Sequence, residues 1–270
     1  MKYKIILILP FLFFACHQSS SSETKKDSDI EEPNNVEALF IEPNSNTILE
    51  CFKPEKGFER ENYTDTEFGH FLQQLPLKAV EEKVRYFDGN IKDKPDVYNS
   101  VINLPIGTKD LHQCADATMR LRADYLYQQK RYNDIAFNFA SDGLPRDYVS
   151  YANGDNSPEK YWSYLEYIFS YANTASLKAQ LRTIHYTEVK IGDLLIQKGN
   201  PYGHAVMVVD LITDGSNKKV LLAQSYMPAQ ELQILINPMS SNGSPWYEVN
   251  AGDIITPEWH FTNEDWKTWE

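Results

Sequence analysis

The sequence predicts an α+β fold in which a central helix packs on a mainly antiparallel sheet. Three observations predict it. Residues 108–132, TKDLHQCADATMRLRADYLYQQKRY, put Leu111, Ala115, Met119, Arg122 and Leu126 on one helical face, with Ala117, Leu121 and Tyr125 beside it. Residues 158–181 repeat apolar side chains at Trp162, Leu165, Ile168 and Phe169, the spacing of one or two further helices. From residue 192 onward the pattern changes to apolar runs broken by turns: GDLLIQKG, HAVMVVDLIT, KKVLLAQSY and ELQILIN.

The elements follow in order along the chain. MKYK is a short positive segment, and IILILPFLFFA is an apolar run too short to span a bilayer as a helix. The run stops at Ala15-Cys16 and a Ser-rich tract follows, so residues 1–15 resemble a bacterial lipoprotein signal peptide with Cys16 as the lipid attachment point. An ordinary secretory signal followed by a chance cysteine is the other reading. Residues 16–35 carry almost no apolar side chains and cannot offset their ordering entropy, which predicts a disordered tether. With no internal repeat and no second low-complexity break, residues 36–270 are expected to form a single α+β domain.

Within that domain, Phe68, Phe71, Leu72 and Leu75 predict a short helix over 66–75. Residues 97–106, VYNSVINLPI, alternate apolar and polar and predict a strand ending at Gly107. Thr108 or Asp110 is a candidate cap for the helix that follows, and Asp116–Arg120 and Arg120–Asp124 are spaced as ion pairs on it. IAFNF (135–139) reads as a short strand before the turn SDGLP. Ser157 or Asn156 would cap the next helix, with Pro158 at its first position. After the four runs from 192, WYEV, IITP and WHF are short apolar pieces near the C-terminus.

Composition narrows the function classes. A formal net charge of −12 argues against nucleic acid as a partner. No CxxC or Cys/His cluster stands at ligand spacing, so no metal or other cofactor is expected. There are three cysteines, Cys16, Cys51 and Cys114. If Cys16 carries lipid, Cys51 and Cys114 either pair, as cysteines outside the cytoplasm often do, or leave Cys114 as a free nucleophile.

His204 opens the run AVMVVD beside Gly203, and in a strand it shares a face with Val206, Val208 and Asp210. A satisfied core histidine is one reading; a histidine facing a cleft is the other. Cys114 sits near the start of the central helix, where unpaired N–H groups and the helix dipole would stabilise a thiolate and lower its pKa. Those same amides are candidate oxyanion donors. A thiol facing an imidazole is the minimum for nucleophilic acyl transfer. Asp210 lies six residues along the strand, roughly 20 Å at the strand rise, and cannot orient the ring. The end of the next strand carries Gln224 and Ser225; Gln224 is the first choice as orienting group and Ser225 the second. His112 reads as a surface residue or, if its segment is a loop, as part of the cleft lining; Asp116 reads as an ion-pair or capping residue, and the isolated His70, His185 and His260 as structural or exposed. Glu81–Glu82 reads as a solvated charge run, and YWSYLEYIFSY as helix packing or the wall of a groove.

The order cysteine helix, then histidine strand, resembles that of papain-like enzymes. QCADATM is similar to the cysteine-bearing helix start of CHAP and NlpC-type amidases, IGDLLIQ to their Gly-Asp strand, and GHAVMVVD to their histidine strand. The separation of Cys114 and His204 is longer than is usual there, and an amide replaces the carboxylate that would best support an imidazolium. The resemblance implies a papain-like fold of the CHAP/NlpC type and a cysteine hydrolase with Cys114, His204 and Gln224 as its catalytic residues. Its expected substrate is an amide bond, with peptidoglycan peptides as the class that fits a cell-envelope lipoprotein. The alternative is a non-catalytic binding or scaffold protein on the same fold. GFER, FLQQLPLK, YFDGNIK, QCADATMRLRADYLY, GHAVMVVD and LLAQSYMPAQ also resemble an uncharacterised family of Bacteroidetes-type lipoproteins, a domain of unknown function. That likeness implies anchoring to the outer membrane through Cys16, on the periplasmic side or at the cell surface, and supplies no reaction.

Overall fold

In this computed structural model, residues 40–270 are described, and they fall in one compact unit. The expected signal peptide (1–15), tether (16–35), lipid-bearing Cys16 and residues 36–39 lie outside the described residues. The helices are α1 (Ile48–Cys51), α2 (Phe68–Gln73), α3 (Cys114–Gln128), α4 (Tyr148–Ala152), α5 (Pro158–Tyr171) and α6 (Thr174–Gln180). The strands are β1 (Glu59–Arg60), β2 (Tyr98–Val101), β3 (Ala136–Asn138), β4 (Pro145–Asp147), β5 (Arg182–Thr183), β6 (Leu194–Gln197), β7 (His204–Thr213), β8 (Lys218–Gln224), β9 (Gln233–Leu235), β10 (Tyr247–Val249), β11 (Ile254–Ile255), β12 (His260–Phe261) and β13 (Trp266–Thr268). The fold is α+β, with a nine-stranded sheet ordered β2-β9-β8-β7-β6-β13-β5; β1 adds beside β7 and β10 beside β8. Its pairs are antiparallel throughout.

β7 is the axis of the molecule. Its sequence HAVMVVDLIT lacks alternation because both faces are covered, and every residue but Thr213 is buried. A register shift between Val208 and Asp210 lets this long strand bend between its neighbours. Helices α2 and α3 pack on β7. Small residues at Ala115, Ala117 and Ala123 admit the close approach, and α3 is buried along most of its length. A second helical layer rests on an aromatic cluster. Tyr127 of α3 stacks on Tyr161 of α5 at 4.1 Å, and Tyr148 meets Tyr161 and Tyr164 edge-on. This is the packing role read for YWSYLEYIFSY.

The structure refines several boundaries. The helix over 66–75 shortens to α2, and the strand over 97–106 to β2. The 158–181 region divides into two helices, because Asn173 leaves the helical path and its side chain caps Ala175 and Ser176 of α6. Ser157 caps α5 with Pro158 at the first position, as expected. Arg120 pairs with Asp124 at 3.2 Å; Asp116 forms no pair with it and serves as a cap. β13 was not anticipated, since WKT carries only three residues of pattern. Among the described residues, no helix is long and apolar enough to cross a membrane.

Candidate functional site

Cys114 is the first residue of α3. Gln113 precedes it as the N-cap, in a reciprocal box: its side chain takes the Asp116 amide, and the Asp116 carboxylate accepts from the Gln113 amide at 3.0 Å. The box uses up the third helical N–H and leaves those of Cys114 and Ala115 without intrahelical partners. Cys51 and Cys114 are both free and buried, so the two are not bridged. The Cys114 thiol donates to the Gly203 carbonyl at 4.0 Å, on the residue that leads into β7.

His204 follows directly and is fully buried. Its Nε2 lies 2.8 Å from Oε1 of Gln224, the last residue of β8. The structure thus brings together His204 and Gln224, the side chain the sequence offers first as orienting group. Ser225 does not reach the ring; its hydroxyl bonds the Gln230 and His112 carbonyls at 2.7 and 2.9 Å. Asp210 is engaged elsewhere, with Arg60 and Gln73. The other imidazole nitrogen, Nδ1, is buried with no hydrogen-bond partner among the described residues. Thus no hydrogen bond joins thiol and imidazole; the sulfur sits instead against the backbone on either side of His204.

Two residues that the sequence reading missed complete the arrangement. Gln224 Nε2 donates to Glu258 Oε2 at 2.8 Å, and Lys92 Nζ donates to the same oxygen at 2.7 Å. Glu258 stands in a loop between two two-residue strands, and Lys92 lies in a bridge-and-turn region. Neither position carries a periodic signal. The rings of Tyr226, Trp259 and Phe261 enclose the imidazole at 4.8, 5.3 and 5.9 Å, and the Trp259 indole N–H is fixed on Gln197 at 3.0 Å.

This enclosure sets the electrostatics. Burial pushes His204 down to about 4, against the opposing hydrogen bond from Gln224 and the Glu258 charge, with Lys92 adding to the depression. Burial, then the nearby Asp116 carboxylate, pushes the Cys114 thiol up to about 11, although the Ala205 and Ala115 amides pull it down. The expectation of a low-pKa thiol at the helix start is thereby corrected: desolvation outweighs the helix terminus. At neutral pH the pair is a thiol and an uncharged imidazole. Peptide-resolved iodoacetamide labelling should therefore find Cys114 about two orders of magnitude slower than a free cysteine at pH 7, its rate rising roughly tenfold per pH unit up to pH 9. Rapid labelling at pH 6 would contradict it.

His112 also departs from expectation. It is buried, with neither ring nitrogen hydrogen-bonded among the described residues, and meets Phe169 edge-on at 5.7 Å. Burial and the Arg120 charge lower it to about 3. Its position two residues before Cys114 tucks the ring beneath the helix entry, where a surface residue had been expected.

A cavity of about 450 Å³ opens on the thiol, walled by Asp110, Phe169, Asn173, Lys198 and Tyr202. Gly203 forms part of its floor. A Cβ there would overlap the Gln197 carbonyl and stand 3.0 Å from Thr174 Cγ2. Gly203→Ala should therefore shift the segment holding the thiol's acceptor and lower stability by about 1–3 kcal/mol in urea unfolding, with faster labelling of Cys114. Unchanged stability and labelling would show that the backbone there has room.

Among the described residues, no group of three or more His, Cys, Asp or Glu side chains could hold a metal ion. The arrangement is a nucleophile-capable thiol at a helix start, free backbone amides beside it, and a positioned imidazole with one bare nitrogen.

No curated protein and no solved structure matches the chain. A family match covers residues 48–158 and 147–268, the first segment carrying Cys114 and the second His204, Gln224 and Glu258. The two segments together build the single large sheet, and the chain belongs to the family described as Domain of unknown function (4846).

Proposed function

We propose that this protein is a papain-like cysteine hydrolase of the cell envelope, anchored to the membrane by lipid on Cys16, that cleaves an amide bond in a peptide such as those of peptidoglycan. The observation that carries the reading is the imidazole of His204, held through Nε2 by Gln224 with its Nδ1 unpartnered, next in sequence to the residue whose carbonyl the Cys114 thiol contacts. The reaction requires the thiol to turn from the Gly203 carbonyl toward Nδ1; Sγ then forms a bond to the substrate carbonyl carbon while Nδ1 takes the thiol proton. Because the resting thiol is neutral, the proton leaves as the sulfur attacks. The Cys114 N–H helps to hold the oxyanion. The tetrahedral adduct breaks its C–N bond, the imidazolium protonates the leaving amine, and water attacks the thioester with the imidazole again as base.

The test is mass spectrometry of peptidoglycan fragments incubated with the wild-type protein and with Cys114→Ala. New amine and carboxylate termini formed by the wild type alone support hydrolysis. Equal cleavage by both proteins removes Cys114 from the chemistry. One observation favours the non-catalytic reading: the thiol bonds a backbone carbonyl and not the imidazole, and burial holds it at about 11. On that reading the cavity binds a peptide without turnover, and neither protein cleaves it.

A further inference from the structure

We propose that Glu258 is a positioning residue that acts through Gln224 to fix the tautomer of His204, so that the ring carries its proton on Nε2 and keeps Nδ1 as a bare base. Glu258 faces the ammonium groups of Lys92 and Lys94, 2.7 Å from one oxygen and 3.5 Å from the other. A carboxylate so placed only accepts hydrogen bonds. The Gln224 atom 2.8 Å from it must then be the amide nitrogen, which turns Oε1 toward the histidine. That oxygen also only accepts, so the ring nitrogen 2.8 Å away must be the donor. A neutral imidazole has one N–H, and Nδ1 is left with a lone pair.

Nothing else settles the orientation. An amide alone can face a histidine either way, since it holds a donor and an acceptor of nearly the same shape. Lys92 is committed to this role: it is buried, with Gln233 Oε1 at 3.5 Å and the Tyr226 ring at 5.8 Å as its other neighbours. A carboxylate is thus present one side chain further out, beyond the amide. Its part in catalysis rests on the hydrolase reading above; the tautomer does not.

The experiment is ¹⁵N–¹H correlation of histidine-labelled full chain at pH 7, with the His204 signals assigned by their loss in His204→Gln. The wild type should show protonated Nε2 and bare Nδ1. Lys92 donates to the same Glu258 oxygen as Gln224, so Glu258→Gln alone should keep the wild-type tautomer, the new carbonyl held in place by the lysine. The double variant Lys92→Met with Glu258→Gln removes both buried charges and the direction, because its amide at 258 can donate to Gln224 as well as accept from it. A substantial population protonated at Nδ1 should then appear. Where a peptide is cleaved, kcat should fall about 10–100-fold with KM little changed. A wild-type ring protonated on Nδ1, or a double variant that keeps the wild-type pattern, would overturn the relay. A tautomer shift in a protein that cleaves nothing would uphold the relay and sink the hydrolase. Cleavage with no tautomer shift would do the reverse.

Discussion

On the proposed hydrolase reading, Cys114→Ala protein should fold and lose turnover, with cleavage of peptidoglycan fragments falling by a factor on the order of 10⁴ or more, since removing a covalent nucleophile leaves only binding and oxyanion contacts. Stability should change little by comparison. The sulfur is buried but makes one long hydrogen bond, and the surrounding helix already tolerates alanine at 115, 117 and 123. The expected loss is about 1 kcal/mol by urea unfolding. The contrast is the informative part, because activity and stability then separate. His204→Ala should match it in activity, as residues that act together lose the rate together. It should cost more in stability, because it empties a site enclosed by three aromatic rings.

The largest effect on stability should come from the opposite end of β7. Asp210 is fully buried, 2.7 Å from the Arg60 guanidinium and 2.8 Å from Gln73. Arg60 lies on β1, beside the end of β7, and its charge also stands over the Trp246 ring. Burial raises the Asp210 carboxyl, and Arg60 is the chief influence lowering it. Arg60→Met leaves that carboxylate without its cation and should cost about 3–5 kcal/mol. The sign of the pH dependence follows. Without Arg60 the folded carboxyl rises further above its unfolded value. Stability is then fullest at low pH and is lost as pH rises through the unfolded pKa toward the folded one. The penalty should therefore be larger at pH 7 than at pH 5. Arg60→Met with Asp210→Asn should recover much of it. A single variant as stable as wild type at pH 7 would show that the pair contributes nothing net.

The sequence was legible where one side chain follows another at a fixed period. α3 could be read because Ala115, Met119, Arg122 and Leu126 keep a face. β7 and β8 could be read as unbroken apolar runs, and the alternation of Val220, Leu222 and Gln224 pointed to the amide that meets His204. What escaped the sequence depends on contacts between distant segments. Glu258 and Lys92 have no local pattern, and their roles exist only because two loops meet behind β8. The burial of His112 follows from the way the chain enters α3, which spacing cannot show. The thiol's pKa was expected to be low because the helix terminus is a local feature, whereas the opposing desolvation comes from the whole fold around it. Likewise β2 and β13 owe their pairing to β9 and to β5 and β6, more than to their own few residues.

The chain order of the strands carries a consequence for synthesis. β2 waits for β9, and β6 sits between β7 and β13, the last strand of all. A ribosome-bound chain that has already made the thiol has no partner for it until the second half emerges. The carboxylate at 258 comes later still. The thiol, the imidazole and the carboxylate are thus brought into one neighbourhood only when the whole polypeptide has been made.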